Sequence, residues 1–136
     1  MKKTIITACA LVLAFLLSGC GVGKLPEGFD ETKVTDKAKE IVALLNDKDF
    51  EAVTGECRED LRQLLPAGEL EKSLSPLIAK LGGFKDYKTV VTAGSKEKET
   101  GEDFATVVLV CDYEKGTATY TISMNNELEI IGLYMK

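Results

Sequence analysis

The chain has 136 residues, of which 22 are acidic, 17 are basic and none is histidine. That length suits one domain, and the acidic excess argues against nucleic acid as a partner, because such binding rests on Lys and Arg neutralising phosphates. Without histidine the chain also lacks the side chain most used for proton transfer near neutral pH.

Met1-Lys2-Lys3 gives a short positive start, and Ile5 to Leu17 is apolar with Thr7 as its one polar interruption. The run falls well short of the ~20 apolar residues that a spanning helix needs. Positive start, short apolar middle and small residues before a break are the parts of a secretory signal. Ala8-Cys9-Ala10 lies too early to be an ordinary cleavage exit. Instead the run ends in Leu17-Ser18-Gly19-Cys20, which resembles the lipobox of bacterial lipoproteins. The resemblance implies diacylglycerol on the Cys20 thiol and cleavage just before it. Residues 1–19 are then a lipoprotein signal, and the expected location is the extracytoplasmic face of the cell membrane. Two or three acyl chains hold stably where one binds marginally. Without Lys2 and Lys3 the remainder carries 15 basic and 22 acidic groups, a net charge of −7, so the lipid rather than charge must hold the membrane.

Residues 20–29 read as a tether containing Gly21, Gly23, Pro26 and Gly28, and residues 30–136 as the domain. Asp30 or Thr32 offers an N-cap, followed by Val34, Ala38, Ile41, Val42 and Leu45 at helical spacing. Asn46-Asp47-Lys48-Asp49 breaks this helix, and Asp49 caps a short second one with Phe50 and Val53, ending at Gly55. Leu61, Leu64 and Leu65 mark a third turn closed by Pro66. Leu70, Leu74, Leu77, Ile78 and Leu81 form the next stripe, in which Pro76 is expected to kink the helix or restart it on Ser75. Gly82-Gly83 is the stop.

From Phe84 the period becomes two. Tyr87, Thr89, Val91 and Ala93 are expected on one face of a first strand, followed by a charged loop from Lys96 to Asp103. Phe104 to Asp112 is apolar on both faces through Val107-Val108-Leu109-Val110, which predicts a central strand covered on both sides. Ala118, Tyr120, Ile122 and Met124 alternate with Thr117, Thr119, Thr121 and Ser123 in the third strand. Asn125-Asn126 suits a two-residue turn into a last strand from Leu128 to Met135. The layout is α+β: N-terminal helices packed on a four-stranded antiparallel meander.

Four motifs occur in order: Leu45-Asn46-Asp47-Lys48-Asp49-Phe50-Glu51, Leu81-Gly82-Gly83-Phe84, Tyr113-Glu114-Lys115-Gly116 and Ile130-Ile131-Gly132-Leu133-Tyr134. Together they resemble the uncharacterised bacterial DUF3887 family, within the nuclear-transport-factor-2-like (cystatin-like) fold group. That resemblance implies a curved sheet wrapped around helices, with a hollow that holds a ligand, an active site or packed side chains. Fold alone selects none of these.

Two cysteines remain after Cys9 and Cys20: Cys57 and Cys111. Either they form a bridge across a long loop, worth on the order of 4 kcal/mol, or they are two separate buried thiols. Tyr87, Asp112 and Tyr120 are the candidate pocket residues, with Asp112 as the one carboxylate that ends an apolar run. Tyr113 and Tyr134 offer further phenols. Glu97, Glu99, Glu102 and Asp103 lack the alternating ligands and glycine of a calcium loop and read as a solvated hairpin. No cofactor, metal or catalytic constellation is expected. The first functional expectation is therefore a non-enzymatic module that binds a small molecule, a peptide or an envelope protein. The alternative is a small enzyme or hydrolase-associated domain using Asp112 and a tyrosine in the hollow. A third is a homodimer through the sheet face that carries Thr117, Thr119, Thr121 and Ser123.

Overall fold

The computed structural model describes residues 25–136, so the signal segment, Cys20 and the start of the tether lie outside the described residues. Four helices come first among these residues: α1 Glu31–Asn46, α2 Phe50–Gly55, α3 Glu59–Leu64 and α4 Ala67–Leu81. Four strands follow: β1 Phe84–Lys96, β2 Asp103–Tyr113, β3 Gly116–Met124 and β4 Ile130–Met135. Asp30 caps α1 by accepting from the Lys33 N–H, and Asp49 caps α2 by accepting from the Ala52 N–H. Such caps stabilise a helix by ~1 kcal/mol each. Helix α4 runs through Pro76 as one element. The missing N–H frees the carbonyl of Lys72, and because Lys72 and Pro76 are both exposed, solvent can satisfy it.

The sheet is an antiparallel meander in the order β1-β2-β3-β4. Its register sets two faces. Ala105, Val107, Leu109, Cys111 and Tyr113 of β2 face the helices, opposite Met124, Ile122, Tyr120, Ala118 and Gly116 of β3. Against them pack Val34, Ala38, Ile41, Val42 and Leu45 of α1, each fully buried. A bulge separates Tyr87 from Thr89. It sends Tyr87 to the helix side with Cys111 and turns Thr89, Val91 and Ala93 outward, so these four do not share a face as the period-two reading had them. An extra residue in one strand reverses the alternation beyond it.

Strand β4 is also shorter than expected. Met124 pairs with Ile130, and Asn125 to Glu129 form the loop between them. The Asn125 side chain accepts from the N–H groups of Glu127 and Glu129, which fixes a longer turn than Asn125-Asn126 alone.

Three contacts run along α1 in order. Thr92 donates to Glu31 at 3.5 Å, the Tyr87 hydroxyl donates to the Lys39 carbonyl at 3.2 Å, and the Tyr113 hydroxyl donates to Asn46 Oδ1 at 2.6 Å. Helix α1 therefore tracks β1, with its N-terminus at the end of the sheet that holds the β1–β2 loop. At the opposite end the β2–β3 turn docks on the α4–β1 junction. Glu114 Oε1 accepts from the Gly83 N–H at 2.7 Å, Glu114 N–H donates to the Gly83 carbonyl, and Lys115 N–H donates to the Leu81 carbonyl. A Cβ on Gly83 would lie 2.6 Å from Glu114 Oε1, so a side chain there would displace the Glu114 carboxylate from this latching bond.

Cys57 and Cys111 are separate, buried, free thiols. This corrects the bridge expectation, and the register gives the reason. Cys57 lies beside Ile130, beyond the β4 edge. Ile130 pairs with Met124, which pairs with Ala105, six residues along β2 from Cys111. At ~3.3 Å per residue that is ~20 Å, against the ~7 Å between Cα atoms that a disulfide tolerates. Burial pushes both thiols up to about 11.

Candidate functional site

The predicted hollow is occupied at its α1–β1 end by an aromatic cluster. Phe84 meets Tyr87 and Tyr113 edge to face, with ring centroids 5.0 and 5.5 Å apart, and the Lys39 ammonium lies 5.1 Å from the Tyr87 ring centre. Tyr120 is fully buried, and its hydroxyl is 2.7 Å from that of Tyr113. Tyr113 uses its proton on Asn46, so Tyr120 donates to Tyr113. The three hydroxyls are all spent inside the protein, and no buried polar side-chain atom among the described residues lacks a partner. Burial raises Tyr87, Tyr113 and Tyr120 above the ordinary phenol value. They are neutral donors there and not bases.

Asp112 does not join them. It alternates with Cys111 and Tyr113 and therefore faces outward, opposite Thr117 and Asp86, with the Thr117 hydroxyl 3.5 Å from its Oδ1. The structure brings Tyr87 and Tyr120 to one face and puts Asp112 on the other. The expected acid–tyrosine pairing in one hollow is thus corrected by strand alternation. Asn46, which orders the tyrosines, was missed because it reads as a helix terminator; its one signal was membership of the first motif.

A groove of about 370 Å³ lies between the α1–α2 turn and the start of α4, lined by Lys48, Asp49, Phe50, Glu51, Ala67, Gly68 and Glu71. Asp49 is committed to its cap and Phe50 is buried, and the other charged side chains of the lining, Lys48, Glu51 and Glu71, are exposed to solvent. Among the described residues no group of three or more His, Cys, Asp or Glu side chains is placed to hold a metal. No described helix is long and apolar enough to cross a membrane.

The outer face of the sheet is different. Thr89 and Val91 of β1, Val108 and Val110 of β2, Thr119 and Thr121 of β3 and Tyr134 of β4 lie side by side on it. The helices pack on the other face, and Val91, Val108 and Val110 are only half-buried, so β2 is covered on one side and not on two. Tyr134 is 63% exposed, which makes it one of the most open large apolar side chains of the described residues. The charged hairpin lies away from this face: Arg58 pairs with Asp60 at 2.8 Å and with Glu102 at 2.8 Å, pinning the β1–β2 loop to the α2–α3 connection. Arg58 also holds the Asp60 carboxyl down to about 2.

Comparison with known proteins supplies a family and no chemistry. The profile of the family described as "Protein of unknown function (DUF3887)" matches residues 38–133. An NMR structure of a protein from Ruminococcus gnavus ATCC 29149 superposes with a TM-score of 0.73 at 25% sequence identity, over 85% of this chain and 99% of that one. No curated protein matches the chain.

Proposed function

Because the chain belongs to the DUF3887 family of proteins of unknown function, its role has to be argued from its own surfaces, and we propose that it is a lipid-anchored, extracytoplasmic, non-enzymatic interaction module working through the outer face of its sheet. One observation carries this reading: the inner face is taken up by packed side chains and satisfied hydroxyls, while Val91, Val108, Val110 and Tyr134 form an uncharged surface that no described element covers. The anchor rests on Leu17-Ser18-Gly19-Cys20 closing the apolar run. Helices preceding a four-stranded meander and packing on one side of it support the finer nuclear-transport-factor-2-like assignment.

A second copy is the partner that this surface favours. Strands of 13, 11, 9 and 6 residues give a face of roughly 600 Å², at the lower end of what a specific interface buries per partner. An uncharged centre is compatible with itself, as a two-fold contact requires. The test is cross-linking in native membranes, comparing the full chain with Val110→Asp and Cys20→Ala. A cross-linked species lost in Val110→Asp supports the face, and one that survives it unchanged refutes it. Cys20→Ala should abolish labelling by tagged palmitate; undiminished labelling refutes the anchor.

A further inference from the structure

Resting on the reading that a second copy covers the outer sheet face, we propose that the two copies stack with their two-fold axis along the strands, so that β4 of each lies over β1 of the other. Tyr134 then sits on the partner's Val91, and Lys136 reaches the partner's Asp86 and Asp112. The register lays the outer face out in rows that cross the sheet. Asp86 and Asp112 share the first row, and Thr89 and Lys136 stand at the two ends of the second. Val91 and Tyr134 stand at the ends of the third, and Ala93 and Gly132 at the ends of the fourth.

Charge decides the axis. Asp86 and Asp112 are direct neighbours across β1 and β2, and like charges so placed repel. Among the described residues neither pairs with a basic side chain, and neither Lys136 nor Lys88, both exposed, pairs with an acid. Within one chain two strands, roughly 10 Å, separate Lys136 from Asp112. Turning a copy about an axis along the strands exchanges β1 with β4 and β2 with β3 and keeps each row on itself. Lys136 is thereby laid over the partner's Thr89, one row or ~7 Å from its Asp86 and Asp112, a gap that a lysine side chain spans. Tyr134, 63% exposed, lands on half-buried Val91. Symmetry makes each contact twice. The other aligned choice is an axis across the strands. Set between the second and third rows, it lays Lys136 over the partner's Tyr134, but it seals Asp112 against Thr106 and Asp86 against Ala93 with no cation beside either. Burying an unpaired carboxylate costs more than one cation–π contact returns.

The test pairs Ala93→Cys in one copy with Gly132→Cys in another, in differently tagged full chains made in the same cells and oxidised in native membranes. Both positions leave Tyr134 and Lys136 in place, and a Cβ at Gly132 meets only ordinary contacts, the nearest Ser123 Cβ at 3.5 Å. Cys57 and Cys111 are buried and stay out of the reaction. A disulfide-linked dimer carrying both tags is expected. Lys136→Glu should lower its yield about tenfold, because like charges then meet, and adding Asp112→Lys to the same chain should restore it. A loss that Asp112→Lys does not restore overturns the charge contact. A mixed-tag disulfide between Thr119→Cys and Thr121→Cys copies, with none between positions 93 and 132, overturns the axis along the strands and leaves the second-copy reading standing. Disulfides from neither pair, together with no cross-linked species sensitive to Val110→Asp, overturn that reading and this proposal with it.

Discussion

Replacing Tyr113 by phenylalanine removes one oxygen on which two other groups depend. Tyr120, fully buried, donates its hydroxyl proton to Tyr113, and Tyr113 donates its own to Asn46 Oδ1. In Tyr113→Phe the Tyr120 hydroxyl is left buried with no acceptor. Asn46 is half-buried and can turn to water. A lost hydrogen bond costs about 1 kcal/mol and an orphaned buried donor about 1–3, so the expected loss is about 2–4 kcal/mol. Tyr120→Phe instead leaves Tyr113 still bonded to Asn46, and the expected loss is about 1 kcal/mol. The double substitution removes the orphan as well, so it should cost no more than Tyr113→Phe alone, giving a coupling of the order of 1 kcal/mol. Urea unfolding measures all three. With a slope of about 2 kcal/mol/M the Tyr113→Phe midpoint should fall by about 1–2 M. A Tyr120→Phe loss equal to or larger than that of Tyr113→Phe, or a double mutant equal to the sum of the singles, would refute the assigned direction of donation.

Two further outcomes are expected. Cys57 and Cys111 should resist a thiol reagent in the native protein at pH 8 and both react after unfolding. Their native values of about 11, against an ordinary value near 9, mean that the folded state holds protons which the unfolded chain releases. Their stabilising contribution is therefore complete below about pH 9 and is lost as pH rises towards about 11, at up to ~1.4 kcal/mol per pH unit for each thiol; flat stability across that window in thermal melts would contradict the burial argument. Gly83→Ala should cost about 1 kcal/mol through the displaced Glu114 carboxylate, and much less in a Glu114→Ala background. An equal penalty in both backgrounds would show that the latch is not its cause.

The helices were legible because the stripe Val34, Ala38, Ile41, Val42, Leu45 and the caps Asp30 and Asp49 are local signals. Strand β3 was legible because both of its faces follow strict alternation. The bulge at Lys88 was not, since nothing in Tyr87-Lys88-Thr89 distinguishes an extra residue from a paired one; it is decided by the register with β2. Asp112 was misplaced for a related reason. An acid ending an apolar run looks buried unless the face of each neighbour is known, and Tyr113 shows that the buried face continues one residue beyond it. The four motifs were visible as sequence, but their meaning is tertiary. Asn46 meets Tyr113, Leu81 and Gly83 meet Glu114 and Lys115, and Ile130 meets Cys57. They are joints between elements, which explains why they specify a fold and no chemistry.

The irregular register at the start of β1 bears on how such a protein survives crowding. This outermost strand is 13 residues long, and a straight strand of that length offers neighbours a row of free amides and carbonyls. Interruptions at Phe84–Asp86 and Tyr87–Thr89 break that row, and Lys85, Lys88 and Lys96 punctuate it with exposed charge. Where copies meet at high density, a border built this way turns edge-on encounters into passing ones rather than seeds of a growing ribbon.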